Sequence, residues 1–149
     1  MVDKQKQGKR NKAAGRRFEL KVRKDLEAKG WIVAKWMNQV ELSKENSEEV
    51  SGKFGGPFGR LIPARHKFRG PGIPMAIGTG FPDFIAFRLN FSGFGNYQVI
   101  GVEAKSGKYL DREEKAKCKW LLDNNIFSKI LIASKGKKRG EIVYNEFKI

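Results

Sequence analysis

Gly80-Phe81-Pro82-Asp83-Phe84-Ile85-Ala86-Phe87 runs through a turn into Tyr97-Gln98-Val99-Ile100-Gly101-Val102-Glu103-Ala104-Lys105. Both halves are apolar and β-prone, and Asn90 to Asn96 between them has turn chemistry. The expectation is two antiparallel strands, Pro82–Leu89 and Tyr97–Lys105. Successive strand residues point to opposite faces, so Glu103 and Lys105 project together. Ile100, Val102 and Ala104 take the other face, which should be core. Asp83 reaches the Glu103 side if the strands are neighbours. Two carboxylates and an ammonium in one place suit a divalent metal and an attacking water.

The chain outside this pair completes an α/β pattern. Phe18, Val22 and Leu26 recur every four residues, which predicts a helix over 13–29 closed by Gly30. Glu19 falls beside Leu26 at the edge of that apolar stripe, either paired with Arg16 or Arg23 or facing a site. Trp31 to Met37 is a first strand. Asp111 and Glu114 predict a capping box opening a second helix, with Cys118, Leu121 and Leu122 on its apolar side. Residues 129–134 and 141–147 are a fourth and a fifth strand. The order is helix, three strands, helix, strand, strand.

Two segments lie outside this pattern. Residues 1–12 are polar and basic and read as a flexible, phosphate-seeking arm ahead of one domain over 13–149. Residues 38–80 read as a long insertion after the first strand. It is acidic at first and then Gly- and Pro-rich, with Arg60, Arg65, His66 and Arg69 interleaved with Phe54, Phe58 and Phe68. Such a loop suits phosphate and base contacts, or else packs as an insertion with its own apolar cluster. His66 has no second metal ligand near it in sequence.

Composition narrows the partner. The 149 residues include 31 lysines and arginines against 16 acids, a net charge of +15. That excess implies a polyanion, nucleic acid before an anionic lipid surface. No apolar run is long enough to span a bilayer, and no amphipathic membrane helix stands out. The single cysteine, Cys118, rules out an internal disulfide and a cysteine-ligated zinc site, reads as core, and suits an intracellular, cytoplasmic setting.

Pro82-Asp83 and Glu103-Ala104-Lys105 resemble the two motifs of the PD-(D/E)xK nuclease superfamily. Within it the chain looks most like the archaeal and viral Holliday junction resolvases. Arg17-Phe18-Glu19-Leu20 ahead of Gly30-Trp31 is similar to their helix-one glutamate and Gly-aromatic turn. The resemblance covers Ala13–Met37 and Gly80 to about Lys135. Many members carry Ser-x-x-Gln where this chain has Asp111 and Glu114. The resemblance implies a restriction-endonuclease-like αβββαβ core, with a mixed central sheet flanked by helices. It implies a Mg²⁺-dependent (or Mn²⁺-dependent) endodeoxyribonuclease with Asp83 and Glu103 on the metal, the Ala104 carbonyl as a further oxygen, and Glu19 supporting the metal or its water. Lys105 would act on the nucleophile, its pKa pressed down by the metal. Arg16, Arg17, Lys21 and Lys108 would bind DNA phosphates, joined by Arg60, Arg65 and Arg69 of the insertion. Branched or duplex DNA is the expected partner, and a homodimer would match a four-way junction. A VRR-NUC or restriction-type nuclease shares the same motifs. The rival from another class is a basic nucleic-acid-binding module without catalysis.

Overall fold

A computed structural model describes residues 4–42, 59–67, 70–72, 76–77, 80–91, 95–107 and 109–149. It is an α/β arrangement of two helices and a mixed five-stranded sheet, with two short strand pairs beside it. In chain order the elements are α1 (Lys4–Ala28), β1 (Ile32–Lys35), β2 (Asn38–Leu42), β3 (Gly59–Pro63), β4 (His66–Lys67), β5 (Ala76–Ile77), β6 (Phe84–Leu89), β7 (Tyr97–Ala104), α2 (Arg112–Asp123), β8 (Lys129–Lys135) and β9 (Ile142–Glu146). The main sheet runs β1-β6-β7-β8-β9. Only the β7–β8 neighbours are parallel, and α2 makes the crossover that a parallel pair requires.

The β6–β7 hairpin forms as its alternation predicts, with Phe84 opposite Val102 and Leu89 opposite Tyr97. Both faces of the sheet are buried, not one. Ile100, Val102, Phe84 and Ala86 pack with Phe18, Val22 and Leu26 of α1. Ile130, Ile132 and Phe127 pack on the other face with Cys118, Trp120 and Leu121 of α2, with Val99 and Ile85 at the margin. The face carrying Glu103 is therefore core over most of its length and polar only at its end. A sheet with a parallel step and a helix on each side has no solvated face to spare.

Helix α1 begins at Lys4, so residues 4–12, expected as a flexible arm, are helical. Lysine, arginine and glutamine are good helix formers, and a helix nucleated by the packed turns around Phe18 propagates into them. Within 38–80, the described residues include strands where a loop was expected. Strands β2 and β3 pair antiparallel from Asn38–Pro63 to Leu42–Gly59, and β4 pairs with β5. Val40 is buried in the α2-side core. The expectations for Phe54, Phe58, Phe68, Arg69 and Lys108 fall outside the described residues. No described helix is long and apolar enough to cross a membrane.

Candidate active site

The Gly80–Asp83 segment is drawn against the end of β1. Trp36 N–H donates to the Asp83 carbonyl at 3.0 Å, and Phe81 N–H donates to the Asn38 carbonyl at 2.9 Å. Gly80 permits this approach: a Cβ there would lie 2.0 Å from the Trp36 carbonyl oxygen. On the far side, Pro82 leans on Gly101, where a Cβ would meet the proline ring at 2.8 Å and Phe127 at 3.1 Å. Two glycines thus let the chain bring Asp83 to the end of β7, one register step beyond the Phe84–Val102 pair.

There the two acids hold each other's strands. Asp83 N–H donates to Glu103 Oε2 at 3.1 Å, and Ala104 N–H donates to Asp83 Oδ2 at 2.9 Å. Each carboxylate commits one oxygen to backbone and keeps the other for a different partner. Asp83 is 8% and Glu103 7% exposed, depths at which an acid is normally paired. Burial pushes both pKa values up. Glu103 is raised to about 8, by burial first and the neighbouring Asp83 charge second. Asp83 is raised by burial against the pull of the Ala104 N–H and the Lys35 charge.

Two lysines flank the pair. Lys105 Nζ is 3.9 Å from Glu103 Oε1 and makes a short ion pair with Glu114. Its pKa lies above the ordinary value. Burial works against the ammonium, but the Glu114 hydrogen bond and the Glu103 and Glu114 charges outweigh it. On the other side Lys35 Nζ bonds Glu19 Oε2 at 2.8 Å and Asp83 Oδ1 at 3.4 Å. Glu19 therefore reaches the site through Lys35. It pairs with neither Arg16 nor Arg23, and Arg23 is engaged by Glu27 at 2.9 Å.

The structure thus gathers Glu19, Asp83, Glu103 and Lys105 around the end of β6 and β7, with Glu19 one lysine removed. Among the described residues no group of three or more histidine, cysteine, aspartate or glutamate side chains forms a ready metal cage. Asp83 and Glu103 are a pair. That donor set is what Mg²⁺ uses, since it binds through one or two carboxylates and keeps several waters. A polar cavity of about 260 Å³ opens on the α2 side, lined by Gln39, Phe81, Asp83, Glu103, Glu114 and Lys117.

Lys35, Glu114, Gln39 and Lys117 were not singled out from the sequence as site residues. Lys35 carried a usable signal, a charged residue closing an apolar strand, as Glu103 and Lys105 do. Glu114 was legible mainly as a cap. It is one: Asp111 N–H donates to Glu114 Oε2 and Glu114 N–H to Asp111 Oδ1. Its other oxygen takes Lys105.

The expected phosphate contacts are dispersed. Arg16, Arg17 and Lys21 are exposed on α1. Arg60 and Arg65 lie on or beside β3 and pair with Glu41 of β2 at 2.6 Å and 3.6 Å. The first of these pairs lowers the Glu41 pKa. Comparison of the chain with protein-family models, with curated proteins and with solved structures finds no match.

Proposed function

We propose that this chain is a divalent-metal-dependent endonuclease of the PD-(D/E)xK type that hydrolyses phosphodiester bonds in DNA, with branched DNA such as a four-way junction as the favoured substrate. The observation that carries this reading is the reciprocal pinning of Asp83 and Glu103 at the end of the β6–β7 pair, buried, with an ammonium on either side. A structural ion pair has no need of two mutually repelling acids at that depth, and such clusters mark sites. The order of α1, β1, β6, β7, α2 and β8 also suits the αβββαβ core that the motif resemblance implies.

Asp83 and Glu103 would hold Mg²⁺ or Mn²⁺. When bound, the ion supplies charge neutralisation at the phosphate and lowers the pKa of a water. The chain's own residues do the rest. Glu114 keeps the Lys105 ammonium beside Glu103, where it can donate to the attacking water or to a phosphate oxygen gaining charge. Lys35 holds Glu19 and Asp83 together so that the loss of either carboxylate disturbs the other. Exposed arginines and lysines on α1 provide sequence-independent grip on the backbone.

The test is a cleavage panel of labelled four-way junction, flap, duplex and single strand, each with Mg²⁺ and with EDTA. Cutting that requires the ion and is abolished by Asp83→Asn, with binding retained, is the expected result. Equal cutting of all four would remove the junction preference and leave the nuclease. Tight binding with no cutting of any substrate in Mg²⁺ or Mn²⁺ would favour the non-catalytic basic module.

A further inference from the structure

We infer that the outer half of α1 is a track for double-stranded nucleic acid, so that the substrate needs a duplex arm reaching some 15–20 Å to one side of the cut. The inference rests on the nuclease reading of the site beside Glu19. The helix starts at Lys4, yet its first buried residue is Phe18. At 1.5 Å per residue the intervening stretch is about 20 Å long. Every residue there except half-buried Gly15 is exposed. From Lys4 to Arg17 the helix carries seven basic residues and no acidic one. Its uncharged residues are glutamines, glycines, an asparagine and two alanines.

That composition selects the occupant. With no large apolar side chain, this half has nothing to bury in a protein groove or a bilayer. With no aromatic ring, it has nothing on which to stack an unpaired base. Its repelling cations are complemented by a regular polyanion, and duplex carries one negative charge per about 1.7 Å of its axis.

The arrangement points at the site. Taking about 100° per residue, Lys9, Lys12 and Arg16 fall within about 80° of Glu19 around the axis. Their spacings of three or four residues make a straight row along one side of the rod, ending at Glu19. The buried stripe of Phe18, Val22 and Leu26 lies on the other side of Glu19, against the sheet. Glu19 thus stands on the border between core and cationic row. A backbone seated at Asp83 and Glu103 would follow that row outward. From Glu19 to Lys9 is about 15 Å, or about four to five base pairs at 3.4 Å each.

The test uses the full chain and the double variant Lys9→Gln, Lys12→Gln, which keeps good helix formers at exposed positions. Circular dichroism checks that helicity is kept. Affinity for a labelled duplex of about 30 base pairs is measured against salt in an Asp83→Asn background, so that binding is read without cleavage. The slope of log affinity on log salt should become shallower by about two. Once the cut is mapped, trimming the duplex to about two base pairs on the tracked side should bring wild-type cleavage down to the variant's level. The variant should be indifferent to that trimming. An unchanged slope with cutting intact removes the track alone. Loss of cutting by the wild-type chain on every substrate, with the slope still changing, removes the nuclease reading alone. If the variant loses binding to phosphatidylserine vesicles while holding duplex as tightly as wild type, the outer helix serves a membrane surface and the inference is overturned.

Discussion

Asp83 and Glu103 sit opposite each other at the open end of a hairpin, and that placement has a measurable consequence for pH. The folded state holds a proton on Glu103 up to about pH 8, against 4.5 for an unperturbed side chain. Between those values the unfolded chain has released the proton and the folded chain has not. Without metal, the Glu103 contribution to stability is therefore fully present below about pH 4.5 and is lost as pH rises toward 8, by on the order of a few kcal/mol. Glu103→Gln should flatten that dependence and raise the metal-free melting temperature at pH 8. Saturating Mg²⁺ should oppose the loss in wild type, by about 2.7 kcal/mol at a hundredfold excess over Kd, and have little effect on the variant. Thermal melts from pH 5 to 8, with Mg²⁺ or EDTA, read all of this. The motif residues were legible because charges closing apolar strands are anomalous on hydrophobic grounds alone. Lys35 obeys the same rule, but Lys-Trp-Met also reads as the ordinary end of a strand.

Helix α2 shows how one element serves the core, its own start and the site together. Cys118, Trp120 and Leu121 bury its inner side, while Asp111 and Glu114 close its first turn. Glu114 also holds Lys105, so cap and site can be separated by substitution. Asp111→Ala should cost about 1 kcal/mol in denaturant unfolding and leave the cleavage rate nearly unchanged. Glu114→Ala should cost a similar amount and also lower kcat by tenfold or more, with KM little moved. Glu114→Gln should recover only part of that rate, because its single amide oxygen can keep Lys105 or the Asp111 N–H but not both. Strands meet a different limit. Gly101→Ala would force a Cβ between Pro82 and Phe127, and should cost about 1–3 kcal/mol through overpacking. At this scale the two helices, the hairpin and the later strands were legible from periodicity and caps. The ordering of β2 with β3 was not, because Val40 finds its partners across a long intervening stretch and against α2. A pairing so distant leaves no local pattern, and Gly-rich composition argues for a loop.

The whole molecule carries +15 on 149 residues. Added salt should therefore act in opposite directions on two properties. It screens self-repulsion and raises the melting temperature, while it weakens DNA binding by erasing the gain from released counterions. Parallel melts and binding titrations from about 0.05 to 0.5 M NaCl separate the two, and a rise in both would refute the polyanion reading. The charge imbalance was plain in the sequence. How it is laid out was not, because a basic tail and a rigid basic rod have the same composition.

Cys118 is fully buried beneath α2, and its thiol is pushed up to about 12, by burial and then by the Glu103 and Glu114 charges. It is also the chain's only sulfhydryl. Thiol-selective reagents therefore find no thiolate until the helix lifts off the sheet, and the rate of labelling becomes a direct clock of that opening. Ligands that fasten the neighbouring carboxylates should slow the clock, which turns one unreactive atom into a reporter for everything that docks nearby.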